Sequence, residues 1–224
     1  FVIRTGKIVG SRRMRKTVLA LAIAGLLGSA AHARACEGGK VLFEDTFRND
    51  GGGWSDKKAV SVGDGELTFT LPADDMQSNL NVMFNVEDAD VCAEAVWPYG
   101  AAQDENPQIL GAGILFWGED NRSYYQFGIL NNGRYWIARK KDGAWVGTIA
   151  ANIDSPAINT APGAANTLRV DAKENQLSFY INGTKVRALR GQAPKGSWRF
   201  GLSGDNFDKT NGATVLFTKM KVTN

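Results

Sequence analysis

Six aromatic side chains, Trp97, Tyr99, Trp117, Tyr124, Trp136 and Trp145, lie on or beside the apolar central runs of this chain, interleaved with Asp120, Asn121 and Arg139. Flat rings with a polar edge suit the apolar faces of sugars, while neighbouring amides, carboxylates and guanidiniums bond sugar hydroxyls. The ligand class this mixture points to is carbohydrate. Trp117, followed by Gly118, Glu119, Asp120 and Asn121, is the leading candidate for a stacking platform. Trp97 and Tyr99, at a strand end beside a polar insertion, read equally well as exposed rings or as core. Trp136 and Tyr125 read as core.

Hydrolysis of a glycoside needs two carboxyls facing one bond. Glu119 and Asp120 are adjacent, so on a strand they point to opposite faces; Glu94 is only a distant partner for either. Glu87, Asp88 and Asp90 have the spacing of a solvated turn. These carboxylates are expected not to form a catalytic set. The single histidine, His32, falls in an N-terminal leader, so residues 36–224 lack the imidazole of a Ser-His-Asp or Cys-His arrangement or of a His-ligated zinc.

That leader is read from Met14 followed by Arg15 and Lys16, an apolar run from Val18 to Leu27, and small residues ending at Ala33-Arg34-Ala35, the three regions of a secretory signal peptide. The apolar run is too short to span a bilayer, and no transmembrane segment is expected. Seven of the 26 basic residues and none of the 23 acidic ones lie before Cys36, so 19 basic face 23 acidic residues in 36–224, a net charge of −4. The basic balance of the whole chain belongs to the leader, and the acidic remainder argues against nucleic acid as a partner. Export to the periplasm or the extracellular space is the expectation. Cys36 and Cys92 would then form one disulfide; lipidation of Cys36 and free thiols are the alternatives.

The elements that must position the aromatics are strands. From Gly113 to Ile149, turn signals at Asn132-Gly133 and Asp142-Gly143 separate aromatic-rich runs that change side every second residue. Tyr125, Phe127 and Ile129 share one face of the middle run; Tyr124, Gln126 and Gly128 share the other. Leu177, Phe179 and Ile181 alternate likewise before Asn182-Gly183 turns the chain back. Strands are predicted at 41–47, 66–71, 79–84, 91–97, 113–117, 124–130, 134–139, 167–172, 176–182, 198–203 and 214–222, with a loop over 155–163 and no sustained helical period. Many short strands with one wet face indicate an all-β, two-sheet antiparallel sandwich spanning 36–224 as one domain.

The pieces DTF (45–47), Trp54-Ser55, DGEL (64–67), GILFWGEDNRSYYQF (113–127), NGRYWIARKKDGAW (132–145), NTLRV (166–170), LSFYINGTKV (177–186) and WRFGLSG (198–204) resemble the concanavalin A-like lectin/glucanase superfamily. They are most similar to laminin-G-like jelly rolls and bacterial 3-keto-disaccharide hydrolase-type domains. The resemblance implies a curved sheet whose concave face or rim meets carbohydrate, with stacking on Trp117 and on Trp97 or Tyr99. The glucanase motif Glu-x-Asp-x-x-Glu is absent. Laminin-G-like domains often carry calcium, and Asp205, Asn206, Asp208 and Asn211 supply oxygen ligands, but these are also ordinary turn residues and no cofactor is expected. The reading is an exported, non-catalytic carbohydrate-binding sandwich with a site drawn from Trp97, Tyr99, Trp117, Asp120, Asn121, Tyr124, Arg139 and Trp145. A glycoside or 3-keto-disaccharide hydrolase and a protein-interaction domain without a sugar site are the alternatives. Oligomeric state is left open.

Overall fold

The alternating runs become two antiparallel sheets. The computed structural model describes residues 36, 38–54, 60–99 and 108–224; the leader lies outside the described residues. The strands of the first half are β1 (Val41–Asp45), β2 (Val60–Gly63), β3 (Glu66–Leu71), β4 (Asp75–Leu80), β5 (Ala89–Val96), β6 (Leu110–Asp120) and β7 (Ser123–Leu130). They are followed by β8 (Arg134–Lys141), β9 (Ala144–Asp154), β10 (Ala165–Lys173), β11 (Gln176–Ile181), β12 (Thr184–Arg190), β13 (Arg199–Asn206) and β14 (Ala213–Thr223). One sheet has eight strands in the order β12-β11-β10-β5-β14-β3-β2, with β1 on β14; the other has six, β4-β13-β6-β7-β8-β9. This is a concanavalin A-like jelly-roll sandwich.

Asp142-Gly143 and Asn182-Gly183 take left-handed φ at both residues, the requirement of a two-residue hairpin whose twist matches its strands. Between the sheets lie the inward alternates of the central strands: Phe116 of β6, Phe127 of β7, Phe179 of β11 and Phe217 of β14, all fully buried. Each such ring contributes roughly 1.5–3 kcal/mol by leaving water. Three sequence expectations shift. The strand predicted at 79–84 is β4, which ends at Leu80; β2 was not anticipated because Val60 and Val62 alternate over only four residues; and β9, the last run of the meander, continues past Ile149 to Asp154. Among the described residues no helix is long and apolar enough to cross a membrane.

Cys36 and Cys92 are joined in a disulfide, as expected, tying the segment before β1 to β5. It sits on the outer face of the eight-stranded sheet. Beside it the Arg169 Nε lies 2.8 and 2.9 Å from the two carboxylate oxygens of Asp90, and the guanidinium covers the Tyr180 ring.

Candidate binding trough on the six-stranded sheet

The outer face of the six-stranded sheet is built from the alternates that do not enter the core. Register aligns Ser78, Ser203, Gly113, Gly128 and Trp136 in one row across β4, β13, β6, β7 and β8. Parallel to it run Met76, Asp205, Gly111 and Leu130 on one side, and Leu80, Gly201, Leu115, Gln126 and Ala138 on the other. The glycines make a floor. A Cβ on Gly128 would stand 2.2 Å from the Trp136 ring, so the missing side chain is what lets the indole lie down on the sheet. Gly113 likewise leaves the space through which the Gln126 amide reaches Ser203.

A cavity of about 230 Å³ opens over this floor, lined by Met76, Gln126, Trp136, Trp145, Asp205 and Phe207 among others. At its base the Gln126 Nε2 donates to Ser203 Oγ at 2.8 Å and to Asp205 Oδ2 at 3.3 Å. Gln126 and Asp205 are each 1 % exposed. Among the described residues no protein group bonds the Gln126 Oε1 or the Asp205 Oδ1. Buried polar atoms without a protein partner are uncommon, and both of these residues line the cavity. Burial pushes the Asp205 carboxyl up to about 8, against the smaller opposing effect of the Gln126 hydrogen bond. At the other end the Tyr124 hydroxyl donates to Ser78 Oγ at 3.3 Å, with Trp145 edge-on to the Tyr124 ring and the Lys140 ammonium over both rings.

Of the residues expected to form a site, Tyr124 and Trp145 come together here. Trp145 is 43 % exposed and supplies a wall; Tyr124 is buried beneath it. The other six do not join them. Trp97 is inter-sheet core, its Nε1 donating to the Asn159 carbonyl at 2.8 Å. Trp117 is also core: β6 bulges there, Trp117 takes a φ of 49°, and the ring that alternation would place outside turns inward against Phe116 and Tyr125. A residue buried to 2 % exposure offers a sugar no ring face. Tyr99 is exposed, but it lies beyond the end of β5 over Gly163, in the other sheet's loops.

Asp120 and Asn121 are spent on the β6–β7 turn, where Asp120 accepts from the Arg122 N–H. Arg139 faces away from the trough, stacked on Tyr125 and donating to Gln192 Oε1. It lines a groove of about 540 Å³ between β9 and β12, larger than the trough, but among the described residues no buried side-chain atom lining it lacks a hydrogen-bond partner. Glu94 lies on the eight-stranded sheet bonded to Thr218, remote in the fold from Glu119 and Asp120. The four residues weighed for calcium diverge. Asp205 faces the trough, Asn206 is turned the other way onto Pro72 and Asn211, and Asp208 caps its own turn, which holds its carboxyl down at about 2.

Trp136, Gln126, Ser203 and Asp205 were missed. Trp136 is half-buried on the outer face, not core between the sheets, because it shares a face with Ala138 and Lys140 and not with Tyr135 and Ile137. The available signal was the outward set Tyr124, Gln126, Gly128: an amide and a glycine beside aromatics on one strand face mark a floor with a polar group in it.

The family described as "3-keto-alpha-glucoside-1,2-lyase-like domain" matches residues 38–222, and the chain belongs to it. Among solved structures it is similar to a glycoside hydrolase family 16 endo-glucanase from Bacteroides ovatus, at 14 % identity over 81 % of this chain and 99 % of that one, TM-score 0.57. It is also similar to the beta-glucanase of Bacillus licheniformis, at 12 % identity over 83 % and 99 % of the two chains, TM-score 0.56. The carbohydrate binding module CBM66 from Bacillus subtilis gives 13 % identity over 81 % and 95 %, TM-score 0.50. No curated protein matches the chain by sequence. At these identities the structures share the fold.

Proposed function

We propose that this is an exported carbohydrate-binding sandwich whose trough takes a neutral sugar ring without cleaving it. The observation that carries the reading is Trp136 lying flat on a glycine floor, with two buried polar atoms of Gln126 and Asp205 unpartnered by protein. An indole face and hydrogen-bonding groups below it are what a pyranose requires. The family's description and the carbohydrate-named neighbours support the ligand class. Among the described residues Asp205 is the one carboxyl lining the cavity, which does not suit hydrolysis by two carboxyls across a bond. Titrating the purified protein with mono- and disaccharides in a calorimeter tests this: saturable binding that Trp136→Ala abolishes supports it, and equal binding by that variant sinks it.

A second reading has one observation in its favour. The family's description names a 1,2-lyase of 3-keto-alpha-glucosides, and elimination beside a ketone needs a single base where hydrolysis needs two carboxyls. The proton would leave C2, the C1–O bond would break, and the alcohol would depart carrying a proton. Asp205, raised toward neutrality, is the group in the trough able to hold and return that proton. Release of the alcohol from a 3-keto-α-glucoside, lost in Asp205→Asn, would replace the binding reading with this one.

A further inference from the structure

Resting on the sugar-binding reading, we infer that Asp205 meets its ligand as a neutral carboxylic acid, donating its O–H to one sugar oxygen while the Gln126 carbonyl accepts from the hydroxyl next to it. The pocket would then select sugars with two neighbouring oxygens, and would bind them more weakly once the acid ionises.

The surroundings of Asp205 carry this. Across the sheet its register partners are Met76 of β4 and Gly111 of β6, the Gln126 amide reaches it from β7, the Trp136 ring approaches from β8, and Ser203 and Phe207 flank it on its own segment. None of these is charged. The charged groups of this face are partnered elsewhere: Arg134 of β8 pairs with Asp154 at 2.9 Å, and Lys140 stands over Tyr124, six residues further along β7 and ~20 Å away at the rise of a strand. A carboxylate buried to 1 % exposure with one neutral hydrogen bond lacks the pairing that a buried charge needs. The same burial lifts its ionisation to about 8, so the acid form prevails at neutral pH.

The hydrogen bonds favour one oxygen for the proton. Gln126 Nε2 donates to Oδ2, the better acceptor as a carbonyl, which leaves the O–H to Oδ1, the oxygen without a hydrogen-bond partner among the described residues. Beside it the Gln126 Oε1 is an acceptor without a protein partner. One donor next to one acceptor matches vicinal sugar oxygens, of which one accepts and the other donates. A protonated amine in place of the accepting hydroxyl would bring only donors to the Asp205 O–H.

The experiment is calorimetric titration of the whole protein with methyl α-D-glucopyranoside from pH 5 to pH 9.5. The wild type is expected to bind the glucoside with constant affinity at low pH and about tenfold more weakly for each pH unit above the Asp205 ionisation. Asp205→Asn keeps a donor in place, so its affinity should stay within about threefold of the wild type's low-pH value and lose the pH dependence; Asp205→Ala should lose binding. Affinity independent of pH in the wild type, or loss of binding in Asp205→Asn equal to that in Asp205→Ala, would each overturn the inference while Trp136→Ala still reports a sugar in the trough. Absence of binding at every pH, or Trp136→Ala binding as the wild type does, would overturn the sugar reading and this inference with it.

Discussion

The two outer faces of this sandwich are made by the same device, the outward alternates of antiparallel strands, and they use polar residues in opposite ways. On the eight-stranded sheet the charges are paired: Arg169 with Asp90, Lys219 with Glu44 at 2.8 Å, Glu94 with Thr218. The Lys219 contact holds the Glu44 carboxyl below its ordinary value. On the six-stranded sheet neutral amides and hydroxyls surround one acid, set among glycines and indoles. Both faces hold buried atoms without a hydrogen-bond partner among the described residues, Asp171 Oδ1 and Thr223 Oγ1 on the first and Gln126 Oε1 and Asp205 Oδ1 on the second. What separates them is that the second pair belongs to residues lining one cavity.

The largest expected effect lies on the paired face. Arg169→Ala takes the guanidinium from the buried Asp90 carboxylate and should cost ~3–5 kcal/mol of stability, read as a lower urea midpoint, with sugar affinity unchanged. A small loss would mean that the pairing is not what holds that face.

Next is the disulfide. Cys36→Ser with Cys92→Ser opens a loop with a sequence separation of 56 residues and should cost about 2–4 kcal/mol, again without touching the trough. Thermal unfolding with and without reductant checks the same quantity.

Asp205 should act in the other direction. Its folded-state ionisation is raised from 3.8 to about 8, so the protonated acid stabilises the fold fully below 3.8, and that contribution is lost as pH climbs through 8. Asp205→Asn removes the buried charge and should be more stable than the wild type at pH 9, the gap shrinking toward pH 4. Urea midpoints at the two pH values measure it. A gap that does not change with pH would place the carboxyl in water.

The smallest effect on stability belongs to Trp136→Ala. Losing a half-buried ring on an open floor should lower sugar affinity by ~1–3 kcal/mol and move the urea midpoint little. Trp117→Ala is its counterpart, because a core ring costs roughly 3–5 kcal/mol of folding and no affinity. If the two variants exchange these behaviours, the assignment of inside and outside is wrong at both positions.

Much of the fold was legible in the residues because strand alternation and left-handed turn pairs are local properties. Phe127 and Phe179 face inward where period two puts them, and Asp142-Gly143 and Asn182-Gly183 turn where they should. The site was less legible. Tyr124 and Trp145 were found as aromatics near the central runs, whereas Trp117 was misplaced by a single bulged residue, which reverses the face of a side chain without any mark in composition.

By itself, then, the sequence determined most of the strands, their hairpins and two alternating faces per strand, and offered one pair of cysteines for a disulfide. Alternation says that two faces exist, not which of them another sheet will cover, so the roles of Trp97, Trp117 and Trp136 waited on the packing of one sheet over the other. Tertiary structure alone also brought Asp205 to Gln126. They stand 79 residues apart, meet because β13 pairs with β6 and not with its chain neighbour, and acquire their chemistry from a burial that neither strand could impose alone.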